Sequence, residues 1–145
     1  MSELKLLALD NEDLQVISTY AQDAVIRIVD MVFSDGHFIL MMNRYAWEKD
    51  KFNKRKKDKG QRARSILRFD YVQNVKAKGF DLNAKEGVLE LLSISFEEKE
   101  KPQGNAILSF AGGATINLSL ECLEVKLHDL GAAWKAKNRP EHDIS

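Results

Sequence analysis

The chain has 145 residues, 44% hydrophobic and 30% charged, and a formal net charge of zero. That length suits one domain able to bury about two-thirds of its unfolded surface, and the composition excludes wholesale disorder. No apolar run reaches the roughly 20 residues that span a bilayer, Glu3 stands where a signal peptide carries cations, and the lone Cys122 excludes an internal disulfide. A soluble, cytoplasmic protein is expected.

Residues 4–9 are a short apolar segment, read as an edge strand or anchor. Asp10 is placed to cap a helix over roughly residues 11–22. Glu12 and Asp13 suit the positive end of that helix, and Leu14, Ile17 and Ala21 recur at helical spacing. From Ala24 the pattern turns to β. Residues 25–33 are rich in branched side chains and end at Ser34-Asp35-Gly36, a turn signal with Gly36 at positive φ. Residues 37–47 return as the second arm of a hairpin, apolar enough from Phe38 to Met42 for burial on both faces.

The zero total conceals an asymmetry. Between Lys49 and Arg68 fall ten of the twenty-two basic residues and only two acids, a local +8 against −8 on the rest. No apolar residue occurs between Phe52 and Ala63, so residues 49–62 are expected to be a solvated basic loop.

Order resumes where Leu67, Phe69 and Tyr71 alternate with Arg68 and Asp70, followed by a second extended piece over residues 72–80. Leu92, Ile94 and Phe96 alternate with Ser93 and Ser95 as a half-buried strand. A charged loop over residues 97–104 leads to Ala106, Leu108 and Phe110. Gly112-Gly113 then turns the chain into a strand carrying Ile116, Leu118 and Leu120 on one side. Residues 122–130 fit two periods. Leu123, Val125 and Leu127 alternate, whereas Leu120, Leu123, Leu127 and Leu130 share a helical face. Gly131 as a C-cap and the Glu124–His128 spacing favour a short helix. The sum is an α+β domain over residues 1–134 with a polar tail over 135–145. It is an antiparallel curled sheet or half-open barrel of about seven strands, with an N-terminal and a short C-terminal helix. In element order it resembles a pleckstrin-homology-like barrel.

Read as a whole, the chain resembles an uncharacterised bacterial family, domain of unknown function 2948. The resemblance rests on the run Leu4-Lys5-Leu6-Leu7-Ala8-Leu9-Asp10, on Gln22-Asp23-Ala24-Val25, on Asn43-Arg44 with Trp47-Glu48, on Ser109-Phe110-Ala111-Gly112-Gly113, on Glu121-Cys122, and on Asp129-Leu130-Gly131 with Trp134. It implies a bacterial, cytoplasmic protein and carries no catalytic or binding residue with it.

The residues that point to a partner are Lys54, Arg55, Lys56, Lys57, Lys59, Arg62, Arg64 and Arg68, because clustered cations attract phosphates and acidic surfaces. Arg62, Arg64 and Arg68 alternate and so fall on one strand face. Tyr45, Trp47 and Phe52 at the segment's edge are able to stack on bases. A non-catalytic binding or adaptor module for an acidic protein or a nucleic acid is therefore expected. The alternatives are an assembly role for the apolar hairpin over residues 25–42, and an enzyme with a non-local site. No cofactor or metal is expected: His37, His128 and His142 lack the paired spacing of a helical zinc site. Cys122 reads as a buried thiol with a raised pKa, and Gly112-Gly113 lacks the lysine and hydroxyl of a phosphate loop.

Overall fold

A computed structural model describes residues 4–46 and 62–130 of the chain. Asp10 opens the helix α1 (Asn11–Ala21) by accepting the Asp13 N–H at 2.8 Å, a bond that satisfies one of the helix's free donors. Leu14, Ile17 and Ala21 are buried on one face, as their spacing demands. Around this helix the described residues form nine strands: β1 (Lys5–Ala8), β2 (Val25–Ser34), β3 (His37–Tyr45), β4 (Arg62–Phe69), β5 (Val72–Lys78), β6 (Val88–Glu98), β7 (Gly104–Phe110), β8 (Thr115–Leu120) and β9 (Val125–Asp129).

All nine strands join in one antiparallel sheet of order β1-β9-β4-β3-β2-β6-β7-β8-β5, with β1 and β5 as its two edges. The β2–β3 hairpin turns through Asp35 (φ 54°) and Gly36 (φ 78°) between the paired Ser34 and His37. Two successive positive φ angles make this the tight turn whose twist matches the strands. Long β6 bridges the halves of the sheet: Val88–Glu90 pair with β2, and the residues from Leu91 onward pair with β7. The helix packs on β1, β3 and β6. One continuous core draws inward side chains from every strand, among them Ala8, Ile26, Phe38, Leu67, Val72, Leu91, Leu108, Leu118 and Leu127.

This architecture corrects the expected one. The sheet has nine strands rather than about seven, it does not close, and the described residues hold one helix. The pleckstrin-homology-like reading fails with it. Its C-terminal helix is replaced by β9, which lies between β1 and β4 and pairs with both. A strand with partners on both sides satisfies its backbone fully, and Val125, Leu127 and Asp129 are buried on its inner face. The alternation in 122–130 was therefore the decisive period, and the four leucines at helical spacing were coincidental. A smaller correction falls in β6. A register shift between Leu91 and Ser93 puts both Leu91 and Ile94 in the core and leaves Leu92 43% exposed. The edge-strand reading of residues 4–9, the first hairpin and the turn at Gly112 (φ 87°) and Gly113 (φ 91°) hold. Of the basic loop, residues 49–61 lie outside the described residues, as do Trp47, Trp134 and the tail.

Gly104 marks a tight point in this packing. A Cβ there would sit 2.5 Å from the Glu97 carbonyl oxygen and from Phe96 Cζ. Backbone on the paired strand cannot withdraw without loss of the β6–β7 ladder. Gly104→Ala should therefore destabilise the domain by about 1–3 kcal/mol, read as a lowered urea midpoint with an unchanged slope.

Candidate functional site

On β4 the odd residues Ser65, Leu67 and Phe69 are buried, which turns Arg62, Arg64, Ile66 and Arg68 to the opposite, outer face. The register carries that face across the sheet. Arg62 stands opposite Tyr45, Arg64 opposite Asn43, and Arg68 opposite Ile39 on β3; Ile66 and Arg68 stand opposite His128 and Lys126 on β9. Lys5 of β1 pairs in turn with His128. The expected alternation of Arg62, Arg64 and Arg68 on one face is thus present, and three further basic residues from β9 and β1 join it. Arg62 lies 5.9 Å over the Tyr45 ring and donates to the Asn43 carbonyl oxygen at 3.1 Å. Arg64 reaches Met41 Sδ. Lys54, Arg55, Lys56, Lys57 and Lys59 lie outside the described residues.

One carboxylate organises the end of this face. Asp70, 5% exposed, accepts from His37 Nδ1 at 2.7 Å and Arg68 Nε at 2.7 Å on one oxygen, and from Lys126 Nζ at 3.3 Å on the other. An ionised carboxylate only accepts, so the short contact places the hydrogen on His37 Nδ1. The 3.3 Å approach of Arg68 Nη2 to that nitrogen is then proximity rather than a second bond. Burial alone would raise the Asp70 carboxyl. The bonds from Arg68, His37 and Lys126 outweigh it and hold the group below the ordinary carboxylate value. Lys126 is pushed up in return, chiefly by Asp70 and then by Glu124 at 3.3 Å.

Beside Asp70 lies an open cleft of about 390 Å³, lined by Asp35, Gly36, His37, Arg68, Asp70, Tyr71, Val72 and Glu121. Three connections meet here and are bonded to one another. Val72 N–H donates to the Gly36 carbonyl at 2.8 Å, Glu121 N–H to Tyr71 at 2.9 Å, and Asp70 N–H to Glu124 at 3.0 Å. Tyr71 holds φ 59° where the chain passes from β4 to β5. A bulky side chain pays for that left-handed conformation, so its neighbours must fix it.

A second charged group is internal. Arg44, fully buried, forks onto Asp129 through Nε (3.1 Å) and Nη2 (3.0 Å). Ser65 Oγ donates to the same carboxylate at 2.6 Å and accepts from Arg44 Nε at 3.0 Å, and Leu4 N–H donates to it at 3.1 Å. Burial again raises the Asp129 carboxyl, and Arg44, Ser65 and Leu4 together reverse the direction and lower it. Sequence reasoning passed over this pair and Lys126. The signal for Lys126 was the 123/125/127 alternation, which sets 126 and 128 on one face. His128 accordingly stands on the outer face of β9, opposite Ile66.

The remaining candidates can be placed briefly. Cys122 is half-buried in the turn before β9 rather than deep in the core. Its thiol is pushed up first by burial and then by Glu124, Glu121 and Asp70. Among the described residues no group of three or more His, Cys, Asp or Glu side chains is arranged to hold a metal ion, and no helix is long and apolar enough to cross a membrane.

Asp129 and Asp70 are both more acidic in the fold than their ordinary value of 3.8. Each therefore contributes stability that is complete above the unfolded pKa and is lost as pH falls through the lower folded one. Urea midpoints should hold from pH 7 to about pH 5 and decline progressively below it. Asp129→Asn removes the carboxylate onto which the buried Arg44 guanidinium forks and should cost about 3–5 kcal/mol at pH 7, with a shallower acid decline than the parent.

A family model described as "Protein of unknown function (DUF2948)" matches residues 4–142, and the chain belongs to that family. No curated protein and no solved structure matches.

Proposed function

We propose that this member of an unknown-function family is a non-catalytic cytoplasmic binding module whose outer sheet face takes an extended polyanion, with single-stranded nucleic acid as the best fit. The observation that carries the reading is the set Arg62, Arg64, Arg68 and Lys126 held on one face by strand register. Alternate residues on a strand stand about 6.6 Å apart and neighbouring strands about 4.8 Å, so these cations form a short grid able to follow a chain of phosphates. Three of the four are arginines, a side chain whose planar guanidinium suits phosphate oxygens, and of the four Arg68 and Lys126 share their charge with Asp70. Tyr45 beside Arg62 supplies a ring for a base. An acidic peptide would use the charges and leave the ring idle. The Lys54–Lys59 run enters the sequence just before β4 and would add to the same field. The non-catalytic part of the reading is supported by the chemistry of the candidates: the Cys122 thiol is held protonated, and the Asp70 carboxylate is committed to three donors.

A labelled eight-nucleotide RNA titrated at about 50 mM and about 200 mM salt tests the proposal. Binding should weaken steeply with salt, since each neutralised phosphate on a single strand adds about 0.7 to the logarithmic slope. Arg62→Ala with Arg64→Ala should flatten that slope by about one to two units, and Lys54, Arg55, Lys56 and Lys57→Glu should flatten it further. Absence of binding at the lower salt would sink the reading.

A second reading draws on β2, where Val29, Val32 and Phe33 are 45%, 50% and 46% exposed. Side chains of this kind on a half-paired strand favour a second copy of the chain. Sedimentation between micromolar and sub-micromolar concentration should then show dimer giving way to monomer, and one constant monomeric mass would discard this role.

A further inference from the structure

We propose that the cleft between the β2–β3 turn and the β4–β5 junction is a guanine-binding subsite at the end of the cationic face. The inference rests on the nucleic-acid reading above and deepens it. Arg68 belongs to both regions: it stands in the row of outer-face cations and lines the cleft. A strand of nucleic acid laid along β4 past Arg64, with Arg68 about 13 Å further on, thus brings a base two or more nucleotides along to the cleft. At about 390 Å³ the space falls within the range of small-molecule sites and suits a single purine.

The lining selects among bases by its hydrogen-bonding character. Arg68 commits Nε to Asp70 and brings Nη2 against His37, and Nη1 has no partner among the described residues. Asp35 has no side-chain hydrogen bond or ion pair with a described residue, and Glu121 accepts one weak bond, from Gln73 at 3.4 Å. The lining therefore combines a guanidinium donor, Arg68, with the carboxylates of Asp35 and Glu121, beside Tyr71 and Val72. Guanine matches both. Its O6 and N7 are the acceptor pair that arginine reads, and its N1–H and N2–H₂ are adjacent donors that fit a carboxylate. Adenine and cytosine each bring one amino group, and uracil brings a single N–H. These lining carboxylates also repel phosphate, which favours the backbone on the cationic sheet face and the base in the cleft.

The geometry is held in advance. Tyr71 and Asp35, two of the three non-glycine residues with positive φ among the described residues, both line the cleft, and the Val72–Gly36 backbone bond ties their two loops together. A strained residue over-determined by its surroundings, as Tyr71 is, is the kind of pre-organisation that ligand sites use.

The test compares three labelled eight-nucleotide RNAs by anisotropy at about 50 mM salt: all uridine, uridine with one central guanosine, and uridine with one central adenosine. The guanosine oligomer should bind about tenfold more tightly than the other two. Asp35→Asn with Glu121→Gln should cut that ratio to about threefold or less. Asn tolerates the left-handed turn position and Glu121 is exposed, and an unchanged melting temperature would confirm that the variant folds. Equal affinity for all three oligomers overturns the guanine subsite while the cationic face stands. A guanosine preference that survives the double variant overturns its assignment to this cleft. No RNA binding, or binding of a poly-glutamate peptide alone, overturns both the face and the subsite.

Discussion

The buried Arg44–Asp129 pair is the constraint on which the first half of the sheet depends. Arg44 sits on the inner face of β3, Asp129 on β9, and the guanidinium must pass across β4 to reach it, where Ser65 receives it midway. The same carboxylate binds the Leu4 N–H at the mouth of β1, and the Asp129 N–H returns the bond to the Leu4 carbonyl at 2.9 Å. Four successive strands are therefore tied to two charges. Neither charge is tolerable in the core alone, since burying an ion without a partner costs several kcal/mol. Apolar strands slide past one another at modest cost, whereas a shift of β9 by one residue would turn Asp129 outward and leave Arg44 in the core. The pair thus specifies register as much as it stabilises.

The outer face is a consequence of that register. With Asp129 inward, Lys126 and His128 must face outward, and with Ser65 inward, so must Arg64 and Arg68. Cations from three segments of the chain then meet on one surface. Their mutual repulsion is relieved at one end by Asp70, which takes Arg68, Lys126 and His37 together. A site with a neutralised end and further cations beyond it differs from a uniformly charged patch. It has a direction, and the cleft beside Asp70 lies at the quiet end of it.

Much of the fold was legible in local pattern. The N-cap at Asp10, the helical face of Leu14, Ile17 and Ala21, the Asp35-Gly36 turn, and the inward sets 106/108/110 and 116/118/120 all follow from short-range chemistry, and all recur in the structure. Two places misled. In β6 the run Leu91-Leu92 gives no indication which leucine belongs to the core, because a bulge changes the phase of the alternation. In residues 122–130 strand and helix periods coexist, and the strand prevails because two neighbours wait for its backbone. Of the candidate site, Arg62, Arg64 and Arg68 could be placed on one face from spacing alone. His37 and Asp70 carry no such signal of their pairing, since 33 residues separate them.

By itself, the sequence determined the elements that neighbouring residues control: where strands alternate, where the chain turns, where the helix begins, and that a dense run of positive charge precedes β4. Tertiary structure alone decided the strand order, the absence of closure and the company each charge keeps. The reason is physical. Turns and amphipathic faces arise from contacts a few residues apart, but Leu4 meets Asp129 across 125 positions and Lys126 meets Asp70 across 56. Such contacts carry no periodic trace in the chain, and they exist only once β9 has taken its place between β1 and β4.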